Sequence, residues 1–181
     1  MEGGDTLVQY ILDKVAFVKK RYHTSNPFDI ASFLNIIVRF HNLGNLQGYY
    51  TSLWRLNYIV INSALTENMK NVICSHELGH SFFHKEFANS VRLEDYTLFD
   101  LNSKLEREAN LFAAELLISD ESIFEAINFQ NSLQGIASML NVPAELLDFK
   151  CQALSYKGYN LNSSLNSRAD FLKNCFIKAD F

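Results

Sequence analysis

The sequence predicts an α+β fold in which a small three-stranded sheet packs on a mainly helical body. Three observations carry this. Between residues 36 and 62 the chain is β-branched and aromatic, in runs of six to eight residues broken by glycine or short polar turns. From about Ser63 onward, the apolar residues recur at helical spacing. Only two prolines and seven glycines occur in 181 residues, which suits compact helices joined by short turns.

The elements follow in order. Asp5 is placed to cap a first helix reaching about Lys20, with Leu7, Tyr10, Ile11, Val15 and Val18 near one face. In "SNPFDIASFLN", Asn26 reads as an N-cap and Pro27 as the first residue of a short helix. "IIVRFHNL" (36–43), "GYYTSLW" (48–54) and "NYIVIN" (57–62) read as the three strands, with Gly44 and Gly48 punctuating the first connection. Helices are then expected near 65–86, 103–118, 121–129, 131–140 and 143–155, the last capped by Asn141 or bounded at Val142 before Pro143. One domain over residues 1–156 and a tail over 157–181, polar at first and ending in a short helix, account for the whole length.

Bulk composition excludes several function classes. Hydrophobic residues make up 48% and charged residues 20%, a globular balance in which disorder is not expected. The formal net charge of -4 gives no electrostatic case for nucleic acid as the main ligand. Cys74, Cys151 and Cys175 are sparse, odd in number and without a CxxC pair, which argues for a reducing compartment. The first twenty residues lack a basic leader, and no apolar run approaches the ~20 residues needed to cross a bilayer. A cytoplasmic protein with no membrane partner is expected.

The chemistry concentrates in "NVICSHELGHSFFH", residues 71–84. His76-Glu77-Leu78-Gly79-His80 fits H-E-x-x-H, which on a helix sets two imidazoles one turn apart, able to bind one metal ion. Glu77, beside that face, is placed to take a proton from water activated there. Cys74 lies two before His76 and points away from that face. His84 continues the four-residue rhythm, but ~12 Å of continuous helix separates it from His76. It is therefore expected to support, pack or line the cleft rather than to ligate.

A third ligand must come from elsewhere, and "KLEREANLFAAELL" (104–117) offers Glu106 or Glu108. Glu106 and Asn110 are four apart and share a face with Ala109, Ala113 and Leu116, whereas Glu108 lies about 200° around the helix from Glu106. Glu106 is preferred. The small residues Gly79, Ala109, Ala113 and Ala114 would let two helices approach closely enough to share one ion.

Together these segments carry a resemblance. "YIVINSALTENMKNVICSHELGHSFFH" followed by "LEREANLFAAELLI" is similar to the ImmA/IrrE family of metallopeptidases. "DIASFLNIIVRF" resembles its early helix–strand unit, and "LQGIASMLNVPAELLDFKCQAL" the helical pair that follows, which is like a helix-turn-helix. The resemblance covers about residues 26–155. It implies a zincin-like domain of the HEXXH gluzincin kind, with His76, His80 and Glu106 as ligands of zinc (manganese or iron being the alternatives) and Glu77 as general base. It further implies that Asn110 steadies His76. A Tyr or His commonly stabilises the transition state; Tyr49, Tyr50, Tyr58 and His84 are candidates, with His84 and Tyr58 preferred. The family usually has "LLMP" where this chain has "LLIS" (116–119), a departure at a helix end.

The implied activity is cleavage of a partner protein, typically a helix-turn-helix transcriptional repressor of a mobile element, prophage or stress regulon. The β-rich segments "YYTSLW" and "YIVIN" are both plausible strands for pairing with extended substrate. The rival reading is a non-catalytic regulatory or immunity protein that binds a repressor or DNA. Only Lys150 and Lys157 near the helical pair offer positive charge for DNA, and a purely structural H-x-x-x-H site has no need of Glu77.

Overall fold

The computed structural model describes residues 2–85, 93–95, 104–130 and 132–159. The expected short helix in the tail lies outside the described residues.

Helix α1 (Glu2–Tyr22) buries Ile11, Val15 and Val18. It starts earlier than expected, so Asp5 lies inside it and is not its cap. Helix α2 (Pro27–Phe33) begins as the sequence indicates: the Asn26 side-chain oxygen accepts from Phe28 N at 2.9 Å and Asp29 N at 3.4 Å, with proline at the first position.

Strands β1 (Ile36–His41), β2 (Gly48–Leu53) and β3 (Leu56–Asn62) follow the three β-rich runs. A fourth strand that the sequence did not suggest, β4 (Leu93–Asp95), pairs antiparallel with Gly48–Tyr50. The strand order is β1-β3-β2-β4, with β1 parallel and β2 antiparallel to β3. β3 is thus paired on both edges, which withdraws "YIVIN" as a strand for extended substrate. The two-residue tip Trp54–Arg55 has φ of 51° and 67°, the mirror-image turn that matches the twist of a hairpin. Asn62 locks the loop before β2, donating to Gly44 O and Leu46 O at 2.9 Å each and accepting from Ala64 N at 3.1 Å.

Strand alternation decides which face meets the helices. Gly48 and Tyr50 stand opposite Ile61 and Ile59, and these residues turn into the core. Tyr49, Thr51, Tyr58 and Val60 turn the other way and line an open groove with Arg39, His41 and Leu53.

Helix α3 (Glu67–Phe83), capped by Thr66, packs on the core face of the sheet. Helix α4 (Lys104–Leu117) packs on α3, and α5 (Asp120–Ile127), α6 (Leu133–Leu140) and α7 (Ala144–Tyr156) complete the body. Asn141 is not the N-cap of α7. It closes α6 in the left-handed conformation (φ 58°), its N–H returning to Ala137 O and Ser138 O, and Pro143 holds the cap position of α7. Among the described residues, no helix is long and apolar enough to cross a membrane.

Candidate metal centre

Two close approaches set the geometry. A Cβ added to Gly79 would lie 2.8 Å from Ala109 Cα, so α3 and α4 touch backbone to backbone at this point. A Cβ on Gly48 would run into the Ile73 side chain and lie 3.3 Å from Glu77 Oε1, so β2 rests directly on side chains of α3. Gly48, expected to open the second strand and punctuate the connection before it, is the first residue of β2, and its missing side chain is the space beside the Glu77 carboxylate. A glycine opening an otherwise aromatic strand was the available signal.

Between α3 and α4, His76, His80 and Glu106 bring one ligand atom each to within 4.8 Å of one another. The Nε2 atoms of His76 and His80 are 2.9 Å apart. Glu106 places one oxygen 3.1 Å from His76 Nε2 and the other 3.4 Å from His80 Nε2. Tetrahedral ligands at ~2.0–2.1 Å from a zinc ion are separated by about 3.3 Å, so the spacing fits such an ion.

The hydrogen bonds behind the imidazoles assign their tautomers. Asn110 Oδ1 lies 2.8 Å from His76 Nδ1, and an amide oxygen only accepts. His76 Nδ1 therefore carries the proton, and Nε2 offers a lone pair. His80 Nδ1 lies 2.9 Å from His84 Nδ1, and His84 Nε2 lies 3.0 Å from Glu108 Oε2. With Glu108 accepting, His84 donates from Nε2 and accepts at Nδ1 from His80. His80 Nε2 then also presents a lone pair. Two imidazole lone pairs and a carboxylate converge on one point, a donor set that calls for a cation.

Burial and charge agree. His76, Glu77, His80 and Asn110 are fully buried. Burial by itself would raise the Glu106 pKa, but a proton taken up on the His76 or His80 ring would face the carboxylate and hold it well below the usual carboxylate range, so Glu106 stays ionised whether a proton or a metal ion lies between the ligands. Burial lowers the His84 pKa against the opposing pull of Glu108. Cys74 is a free, buried thiol whose pKa is pushed far up by burial and by the nearby Glu77, so it is an inert core residue.

The four candidates for stabilising the transition state sit elsewhere. Tyr58 is on the opposite sheet face from α3, so strand parity keeps it from the centre, and Tyr49 shares that face. Tyr50 faces the core, buried, with its hydroxyl on Asn57 Oδ1 at 3.0 Å. His84 stands behind His80 with both ring nitrogens engaged, which leaves none for a substrate oxygen. Glu108, set aside as a ligand because of its direction, is buried and holds His84. That contact was missed.

A helix whose H-E-x-x-H imidazoles meet a glutamate from a later helix defines a metallopeptidase-type centre. The comparisons with known proteins agree. The peptidase M78 family model, described as the IrrE N-terminal-like domain, matches residues 31–152. "Metallopeptidase ImmA" of Bacillus subtilis (strain 168) is 31% identical over 144 residues, covering 77% of this chain and 83% of that protein. "Uncharacterized immunity region protein 2" of Bacillus phage phi105 is 43% identical over 149 residues, covering 82% and 91%. This chain belongs to the ImmA/IrrE family of metallopeptidases.

Proposed function

We propose that the chain is a zinc-dependent endopeptidase that cleaves a partner protein, a helix-turn-helix transcriptional repressor of a mobile element, prophage or stress regulon. The observation that carries the hydrolytic reading is the convergence of two lone-pair-bearing Nε2 atoms and the Glu106 carboxylate beside a buried Glu77. The substrate class rests on the family resemblance, and the names of the two relatives, an immunity region protein of a phage and a metallopeptidase, are in keeping with it.

In this reading His76, His80 and Glu106 hold the ion, in a domain of zincin-like form spanning residues 1–156. A bound zinc ion, or manganese or iron in its place, would supply a Lewis acid that acidifies a water and polarises the scissile carbonyl. Glu77 takes the proton of the attacking water and delivers it to the departing amine. Its burial, with the side-chain-free Gly48 beside it, confines that carboxylate to the centre. Asn110 keeps the His76 ring turned to the centre. Extended substrate would pair along β2, of which the described part of β4 is registered with Gly48–Tyr50. The free thiols Cys74 and Cys151 suit a cytoplasmic setting.

Glu77→Gln tests this. The variant is expected to bind zinc and the repressor as the parent does, while cleavage falls by at least the ~10²–10⁴-fold ascribed to a positioned base. Undiminished cleavage would remove Glu77 from the chemistry. A parent chain that captures repressor without cutting it, with or without zinc, would establish the binding-only alternative.

A further inference from the structure

We propose that His84 and Glu108 are positioning residues that hold His80 in the tautomer able to accept a metal ion. The proposal rests on reading His76, His80 and Glu106 as a metal site. It adds two residues that touch neither the ion nor the substrate.

The two ligand histidines face the same problem and solve it differently. Each must keep its proton on Nδ1 so that Nε2 can donate its lone pair. For His76 one residue suffices, because Asn110 reaches the ring directly from α4 at 2.8 Å. His80 stands one turn further along α3, and no residue of α4 is hydrogen-bonded to its Nδ1. The backbone of α3 supplies the link. The helix ends at Phe83, and His84 caps it with φ -125° and ψ 21°, bringing the His84 ring onto the far side of His80.

An imidazole is an ambiguous partner, since either nitrogen can be the donor. If His84 carried its proton on Nδ1, it would donate to His80, and the His80 proton would move to Nε2, where it would block the metal. Glu108 removes the ambiguity. Its carboxylate can only accept, so the His84 proton sits on Nε2 at 3.0 Å, and His84 Nδ1 becomes the acceptor. Lys104 Nζ lies 3.8 Å from the other carboxylate oxygen, Oε1, so Oε2 is left to His84. Each hydrogen bond in the series Glu108–His84–His80 thus fixes the direction of the next.

The test uses the full chain with four substitutions and two readouts, zinc affinity by chelator competition and imidazole ¹H–¹⁵N spectra of the metal-free protein. In the parent, His80 should be the Nδ1–H tautomer. In His84→Phe and Glu108→Leu, zinc affinity should fall about 10–100-fold, and His80 should shift toward Nε2–H. Glu108→Gln, whose amide oxygen can still accept from His84, and His84→Asn, which imitates Asn110, should recover most of the affinity. A merely structural role would not predict recovery ordered by acceptor chemistry. Should His84→Phe fail to fold, the Glu108→Leu and Glu108→Gln pair decides. Zinc affinity within about twofold of the parent in Glu108→Leu, or a parent His80 protonated on Nε2, overturns the proposal. A parent that takes up no zinc would instead overturn the metal-site reading, and the tautomer spectra would still judge the relay.

Discussion

Helix α4 carries a buried polar cluster at each end, and they are built on opposite plans. Near its start, Glu106, Glu108 and Asn110 face His76, His80 and His84, and of these His76, His80 and Glu106 turn their lone pairs to a common point. Near its end, Glu115 and Asp120 are closed by lysines from other elements. Lys150 pairs with both carboxylates, Lys157 reaches them at 2.7 and 2.9 Å, and Lys19 donates to the Glu115 backbone carbonyl at 2.7 Å. Lys150 is fully buried, yet its charge is met within the chain. The lysine cluster is a clasp tying α1, α4 and α7 together, and Lys19 also complements the negative end of the α4 dipole. Burial of charge is common to both ends. What separates a site from a clasp is whether the chain itself supplies the balancing cation.

The largest expected effects break that comparison from its two sides. Glu106→Ala should reduce zinc affinity by more than the ~10–100-fold typical of residues behind the ligands, while the metal-free chain unfolds at nearly the parent denaturant concentration. Lys150→Met should do the reverse. It leaves two half-buried carboxylates to Lys157 and should cost stability, though less than the ~3–5 kcal/mol of a fully buried broken pair because solvent reaches both carboxylates, with zinc affinity of the folded protein unchanged. Chelator competition and urea unfolding in the presence of chelator read both quantities. If Lys150→Met abolished zinc uptake and spared stability, the assignment of the two clusters would be the wrong way round.

The same contrast explains what could be read from the sequence. Asn26 before Pro27, the H-E-x-x-H spacing, and Glu106 with Asn110 are local patterns whose meaning depends on a single helix, and they were legible. Glu108 was not, because a helical wheel assigns its far side to solvent, whereas the end of α3 folds over it. Tyr58 was misplaced because strand alternation says which residues share a face but not which face a helix will cover. Asn141 reads as an N-cap in composition, and only its left-handed φ shows that it ends α6. Lys150 looked like one of few positive charges for a nucleic-acid surface, and it lies in the core. Apart from Asn141, whose signal is a local backbone angle, each miss is a tertiary arrangement of segments distant in sequence.

A smaller effect is expected where the two helices touch. Gly79→Ala places a methyl 2.8 Å from Ala109 Cα and 3.1 Å from its carbonyl oxygen, backbone atoms that cannot swing aside. α3 and α4 must separate, at a cost of about 1–3 kcal/mol for overpacking. Because His76 and His80 ride on one helix and Glu106 on the other, zinc affinity should fall along with stability. The facing residue of the same contact offers the control. Ala109→Gly opens space at the same contact and should loosen packing without pushing Glu106 away, so a loss of zinc affinity as large as that of Gly79→Ala would show that separation is not the cause.

The smallest expected effect is the pH dependence of the clasp. Burial alone would raise the Asp120 pKa from its ordinary 3.8, but hydrogen bonds from Lys150 and Lys157 overcome this and lower it. A carboxyl with a depressed folded-state pKa stabilises the protein above its unfolded value, and that stability is lost as pH falls through the folded value. Lys157 shifts the opposite way: burial would lower its pKa from 10.5, but Glu115 and Asp120 raise it. Its contribution is complete below 10.5 and is lost as pH rises beyond that toward the folded value. The clasp should therefore weaken in acid below about pH 4 and in alkali above about pH 10. Asp120 is at the rim of the cluster, one quarter exposed, so solvent screening limits its share to about 1 kcal/mol or less. Melting curves of the metal-free chain between about pH 2.5 and 6 should show a shallower acid limb for Asp120→Asn than for the parent. Equal slopes would mean that protonating Asp120 does not open the clasp, and that Lys150 is held by Glu115 alone.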